Sequence, residues 1–224
     1  QRRAYWHKDL PMHLPATASP PPTLCASFRM RNKHNYTMPV LLIDNETILL
    51  EKLKKLIPGR EVIRAWDDLE GVTPNNYSLI ILSGGSKFPV VGNEEALFSE
   101  MSLVQNAETP IIGICYGCEV IVRSSGGTLE LMSEKERGII TIDIVEHDPI
   151  FNDKGALQVY ESHRWRIKEL PEHYVALAHS KHGIEAIRHT KRPIYGFQFH
   201  PEQCVNETDG DEIFMTLFQK LIRI

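Results

Sequence analysis

Three side chains in this sequence have the types and settings needed for nucleophilic catalysis: Cys115, His200 and Glu202. Cys115 lies in the stretch Thr109-Pro110-Ile111-Ile112-Gly113-Ile114-Cys115-Tyr116-Gly117-Cys118-Glu119-Val120-Ile121. A short apolar run leads into Gly113-x-Cys115-x-Gly117, and a run of helical character follows from Glu119 to Ser125. This pattern predicts a strand, a sharp turn and a helix with the thiol at the apex, the cysteine counterpart of a G-x-S-x-G turn. Glycines supply the backbone room that so tight a turn needs. A helix N-terminus favours thiolate, so the setting predicts a thiol pKa lowered by about a unit or more from roughly 8.5.

A thiol nucleophile needs a base. Pro193-Ile194-Tyr195-Gly196-Phe197-Gln198-Phe199-His200-Pro201-Glu202 reads as an apolar strand ending at a histidine, with a carboxylate two residues on. That carboxylate can fix the imidazole tautomer and stabilise the imidazolium. His163, His179, His182 and His189 have no comparable setting in the sequence. A third piece, Leu79-Ile80-Ile81-Leu82-Ser83-Gly84-Gly85-Ser86, is a buried-type strand running into a Gly-Gly turn, whose N–H groups can bind a developing oxyanion.

The elements that must position these groups follow from periodicity. Val40 to Ile43 is a buried-type strand, and Asn45 is placed to cap the helix carrying Ile48, Leu49, Leu53, Leu56 and Ile57. Glu61–Trp66, Leu79–Leu82 and Ile111–Ile114 read as strands, and 93–106 as a helix. This alternation predicts parallel pairing with right-handed crossovers, and functional residues at the carboxyl ends of strands. Gly85, Cys115 and His200 all fall at such ends. Beyond Gly126-Gly127, the segments 129–131, 138–145, 157–161 and 174–178 are strand-like, several alternating as antiparallel strands do. Ile213, Leu217, Leu221 and Ile222 give a closing amphipathic helix. The expected fold is α/β: a mixed, mostly parallel central sheet flanked by helices, in one domain spanning 38–224.

Composition narrows the classes. The net charge is −4, yet residues 1–37 carry six basic residues and one acidic residue, so the remainder is distinctly acidic. No basic patch there points to nucleic acid. No apolar run reaches the ~18 residues that a membrane helix needs. Cys25, Cys115, Cys118 and Cys204 do not read as a secreted disulfide framework in a chain of 224 residues, which favours a reducing, cytoplasmic setting. Residues 1–37, interrupted by Pro11, Pro15 and Pro20-Pro21-Pro22, read as a disordered or extension segment without catalytic motifs.

Together, Ser83-Gly84-Gly85, Pro110 to Gly117 and Gln198-Phe199-His200-Pro201-Glu202 resemble the class I, triad-type glutamine amidotransferases in order and approximate spacing. Within that family the wording is most similar to the glutaminase part of GMP synthetase. The resemblance covers roughly Met38 to Ile224 and implies a flavodoxin-like fold and hydrolysis of the glutamine side-chain amide. It implies Cys115 as nucleophile, His200 as base, Glu202 as its orienter, and the N–H groups of Gly85 and Tyr116 as the oxyanion hole. Glu119, Ser162, His163, Arg164 and Trp165 would contact the substrate. No metal or organic cofactor is implied, and ammonia would pass to a synthetase partner. Two positions depart from the family pattern. Glu119 replaces the usual Gln four residues after the nucleophile, where a carboxylate cannot donate as an amide does and would instead suit a cationic group. Arg164 replaces a small residue and is suited to a substrate carboxylate.

Other readings stand beside this one. Glu119 leaves a γ-glutamyl peptide or amide hydrolase acting alone as an alternative. Cys115-x-x-Cys118 has the spacing of a dithiol redox pair. Cys115, Cys118, His200 and Cys204 have the stoichiometry of a Cys3His zinc module. An inactive regulatory subunit is the remaining non-enzyme reading.

Overall fold

The computed structural model describes residues 38–222. The expectation for residues 1–37 lies outside them. In chain order the elements are β1 (Val40–Asn45), α1 (Leu50–Leu56), β2 (Glu61–Ala65), β3 (Leu79–Gly85), α2 (Phe98–Asn106), β4 (Ile111–Ile114), α3 (Tyr116–Ser124), β5 (Thr128–Ile144), β6 (Ala156–Glu169), β7 (Tyr174–Ser180), β8 (Gly183–His189), β9 (Ile194–Phe197) and α4 (Gly210–Ile222). They form a mixed α/β fold around one nine-stranded sheet of order β2-β1-β3-β4-β9-β8-β7-β5-β6.

The run β2-β1-β3-β4-β9 is parallel, as strand–helix alternation requires. From β9 outward the pairing is antiparallel. The inner parallel strands β1, β3, β4 and β9 are apolar on both faces because helices cover both, whereas the edge strand β2 is largely exposed. Leu42, Leu79, Ile81, Ile112 and Ile114 pack with Phe214, Leu217 and Phe218 of α4. Leu41, Ile43, Ile80 and Leu82 face the other way, towards Val104 of α2 and Val120 and Ile121 of α3. The acidic first turn of α4, Asp211 and Glu212, and Lys220 in its last turn complement the helix dipole. Asp148 ties this layer to the sheet from a buried position. It accepts from Tyr195 Oη at 3.1 Å and pairs with Arg188 at 3.1 Å and Lys220 at 3.0 Å.

The structure departs from the expected elements in several places. The segments 129–131 and 138–145 are parts of one 17-residue strand, β5, which pairs with β6 up to Leu131 and again from Glu136 to Asp143, with a register shift between the two stretches. β8 is a strand that the sequence pattern does not announce, since Glu185 interrupts its apolar run. The helix expected from residue 93 begins at Phe98; the residues before it form turns, held by Asn93 Nδ2 donating to Pro89 O and by the Glu94–Arg123 pair. Asn45 does not cap α1. It is buried, and its Nδ2 donates to Ser83 O and to Glu100 Oε1. Thr47 N–H donates to Asp44 Oδ1 instead. No helix among the described residues is long and apolar enough to cross a membrane.

Candidate active site

Cys115 connects β4 to α3 and has φ 47° and ψ −102°, a strained backbone for a residue with a side chain. The turn is held from both sides. Cys115 N–H donates to Phe197 O of β9 at 2.7 Å, and Cys115 O accepts from Glu119 N–H at 3.0 Å. The two flanking glycines are required by close approach. A methyl at Gly113 would lie 2.5 Å from Ile121 Cδ1, and one at Gly117 would strike the Leu82 carbonyl oxygen. Helix α3 therefore sits directly on β3 and β4. The N–H of Tyr116 belongs to the first turn of α3, where no intrahelical acceptor exists.

His200 lies three residues beyond the end of β9 rather than on the strand. Its position is fixed by its own N–H, which donates to Tyr160 O of β6 at 2.8 Å. Its Nδ1 meets Glu202 Oε1 at 2.8 Å, and the Cys115 thiol is within hydrogen-bonding reach of the ring. All three side chains are buried: Cys115 is 5 %, His200 6 % and Glu202 1 % exposed. Burial overrides the helix N-terminus at Cys115 and pushes the thiol above its ordinary value, with His200 opposing the rise. The lowered thiol pKa expected from the turn is therefore not found in this closed site. Burial disfavours a charged His200, yet Cys115 and Glu202 together hold it well above its usual value.

Gly85 ends β3 beside Cys115, at a register shift against Asn45 of β1. The Asn45–Ser83–Glu100 bonds buttress this strand end from behind. Burial raises Glu100 to about 7, with the Asn45 hydrogen bond opposing. Sequence reading misses Glu100, which looks like one more polar residue on an amphipathic helix.

A cleft of about 570 Å³ opens over the thiol, and Gly85, Cys115, Tyr116, Glu119 and the run Ser162–Trp165 all line it. The oxyanion-hole and substrate-contact residues expected from the resemblance thus line one cleft with Cys115, and His200, backed by Glu202, lies beside the thiol. Glu119 is not a surface carboxylate: it is 4 % exposed, and its Oε1 accepts from Gln198 Nε2 at 3.3 Å. Burial raises it to about 7, opposed by that hydrogen bond, so near neutral pH it is in good part an uncharged acid. This corrects the expectation of a fixed negative charge there, because a neutral acid can donate a hydrogen bond.

His163 does have a carboxylate partner, contrary to its sequence setting. Its Nε2 lies 2.9 Å from Glu161 Oε2, and Nδ1 lies 2.7 Å from Trp165 O. His182, in the turn between β7 and β8, similarly meets Glu136 of β5 at 2.8 Å. Cys115 and Cys118 are free thiols that pack into cores on opposite faces of the sheet. Among the described residues, the one cluster with metal-ligating side chains converging is Glu161, His163 and Glu185, not the Cys3His set.

Comparison with known proteins bears on this arrangement. Residues 41–220 match the family model described as glutamine amidotransferase class-I. The A subunit of a GMP synthase [glutamine-hydrolyzing] from Pyrococcus abyssi is 39 % identical over 157 residues, covering 68 % of this chain and 80 % of that one. Its namesake from Methanopyrus kandleri is 32 % identical over 180 residues, covering 77 % and 93 %. The crystal structure of a protein from Thermoplasma acidophilum, described as belonging to the same kind of GMP synthase subunit, has a TM-score of 0.71 at 24 % identity, covering 82 % and 94 %.

Proposed function

From the premise that the chain belongs to the class I glutamine amidotransferase family, we propose that Cys115, His200 and Glu202 hydrolyse the side-chain amide of glutamine and release ammonia to a partner synthetase of the GMP-synthetase kind. The observation that carries the residue assignment is the strained Cys115 apex, paired with a buried His200–Glu202 contact of 2.8 Å beneath a cleft.

The steps follow from the positions. His200 takes the thiol proton as Cys115 Sγ attacks the amide carbon, and Glu202, on Nδ1, stabilises the imidazolium. Charge builds on the former amide oxygen, where the N–H groups of Gly85 and Tyr116 receive it; one such donor is worth about 10²–10³ in rate. His200 then gives its proton to the departing nitrogen, and ammonia leaves. Water, deprotonated by His200, opens the γ-glutamyl thioester to glutamate and the free thiol. Strain at Cys115 holds Sγ clear of the strand in an attacking position. Glu119, as a neutral acid, takes the place of an amide donor towards the substrate, and the wall Ser162–Trp165 holds its amino-acid end.

Intact-mass labelling with a glutamine-mimicking diazoketone, followed by peptide mapping, tests the assignment. One adduct on Cys115, suppressed by excess glutamine, is the expected result. Adducts on Cys118 or Cys204 with Cys115 unmodified would overturn it.

A further inference from the structure

Two buried carboxyls that this mechanism leaves unused meet beside His163, a residue of the cleft wall. Glu161 is 0 %, Glu185 1 % and His163 4 % exposed. Glu161 and His163 are on β6, the last strand of the sheet, whereas Glu185 is on β8 beside β9; β7 and β5 separate them in strand order. The β5–β6 ribbon must therefore fold back over the sheet for these side chains to meet, and polar atoms of Glu161, His163 and Glu185 all lie within 4.8 Å of one another. With both carboxyls ionised, the Glu161 oxygens and Glu185 Oε2 would have no hydrogen-bond donor between them. One proton on Glu185 Oε2 supplies it. The other Glu185 oxygen accepts from Ser180 Oγ at 2.5 Å, and Glu161 Oε2 faces His163 Nε2 at 2.9 Å.

The same two residues lie on the segments that hold the catalytic histidine. His200 N–H donates to the carbonyl of Tyr160, next to Glu161, and Gln198 N–H donates to the carbonyl of Glu185 itself. His163, whose Nδ1 meets Trp165 O and whose Nε2 lies close to Glu161 Oε2, belongs to the cleft-lining run.

We propose that Glu161 and Glu185 form a proton-sharing clasp that closes the curled β6 ribbon onto the sheet, and that both are positioning residues for substrate binding: the clasp braces His163 and holds the Ser162–Trp165 wall over Cys115. This deepens the glutamine reading and rests on it for its kinetic consequence. Burial pushes both groups up, Glu161 to about 7 and Glu185 to about 8, in keeping with a shared proton between them. Glu136 from β5 and His200 are the other charged groups facing Glu161, and His163 also faces Glu185.

Three substitutions separate a clasp from a merely buried acid. Glu185→Gln keeps a donor of the same reach, Glu185→Asp keeps the acid but not the reach, and Glu185→Ala removes both. Diazoketone labelling of Cys115 at pH 7 gives the inhibitor's half-saturating concentration and its limiting rate separately. Glu185→Gln should stay within about twofold of wild type, while Glu185→Asp and Glu185→Ala raise the half-saturating concentration about tenfold, as loss of one buried charge-assisted hydrogen bond does. The limiting rate should stay within about threefold, because the thiol and base are untouched. Equal half-saturation in wild type and Glu185→Asp, or a Glu185→Gln as impaired as Glu185→Asp, would overturn the clasp. Amide exchange across residues 161–165, measured without inhibitor, tests it independently of the glutamine reading. Exchange should quicken in Glu185→Asp and not in Glu185→Gln, and unchanged exchange in Glu185→Asp would overturn the clasp. Absence of any Cys115 adduct in wild type would count against the glutamine reading instead.

Discussion

Replacing Glu119 by Gln tests how this cleft accommodates an acid where the family carries an amide. Glu119 is a buried residue of the first turn of α3, accepts from Gln198 Nε2 at 3.3 Å, and is raised to about 7 because burial disfavours its charge. The folded value lies above the ordinary one, so the neutral acid prevails below pH 7 and is lost as the pH rises through about 7. With a pKa of about 7, the neutral fraction is about one half at pH 7 and about one tenth at pH 8. If the neutral acid is the form that receives glutamine, KM at pH 8 exceeds that at pH 6 by about tenfold, equivalent to ~1.4 kcal/mol. A glutamine side chain at this position can accept from Gln198 through its carbonyl and donate through its amide at every pH. The Glu119→Gln variant should therefore gain about twofold in affinity at pH 7 and about tenfold at pH 8, with its KM flat across the range. Steady-state glutaminase kinetics from about pH 6 to 8.5, read as glutamate formed, make the comparison across the titration. The same rise of KM with pH in wild type and Glu119→Gln would refute the reasoning and place Glu119 away from the substrate.

Other perturbations have equally defined outcomes. His200→Ala should lower kcat by at least about 10²-fold, the contribution expected of a positioned acid–base, whereas Glu202→Ala should leave measurable turnover; a kcat within tenfold of wild type for His200→Ala would remove it from the mechanism. Gly117→Ala drives a methyl into the Leu82 carbonyl and should cost about 1–3 kcal/mol in denaturant titration together with most of the Cys115 labelling. Wild-type stability in Gly117→Ala would contradict the close packing of α3 on β3. Asp148→Ala removes the buried acceptor of Tyr195, Arg188 and Lys220 and should destabilise by about 1–3 kcal/mol, the two cations staying partly solvated, with the limiting rate of Cys115 labelling unchanged below the melting transition.

Much of this site is legible in the sequence because its chemistry is local. The Gly113-x-Cys115-x-Gly117 turn, the His200-x-Glu202 pair and the Ser83-Gly84-Gly85 strand end each announce themselves within a few residues, and the parallel half of the sheet follows from apolar runs separated by helices. What escapes the sequence depends on contacts between distant segments. Glu185 breaks the apolar pattern of β8, which hides both the strand and the carboxyl's partner Glu161. Asn45 has the type of a helix cap, but burial beside Ser83 and Glu100 gives it another task. Position alone leaves Glu119 and Cys115 with charges set by their local surroundings; in both cases burial, a property of the assembled layers, outweighs them. The antiparallel ribbon reads as fragments because the charges between Leu131 and Gly138 look like a loop, whereas pairing with β6 resumes at Glu136 beyond a register shift and joins the two pieces into one strand.

The central claim is that a γ-glutamyl thioester forms on Cys115. Rapid mixing of enzyme with glutamine, acid quench within the first turnovers and mass mapping of the peptides tests it most directly. A γ-glutamyl adduct confined to the Cys115 peptide, absent in Cys115→Ala and persisting longer in Glu202→Ala, is the predicted result. Glutamate release at an undiminished rate from Cys115→Ala, with no adduct on any cysteine in the wild-type chain, would contradict it.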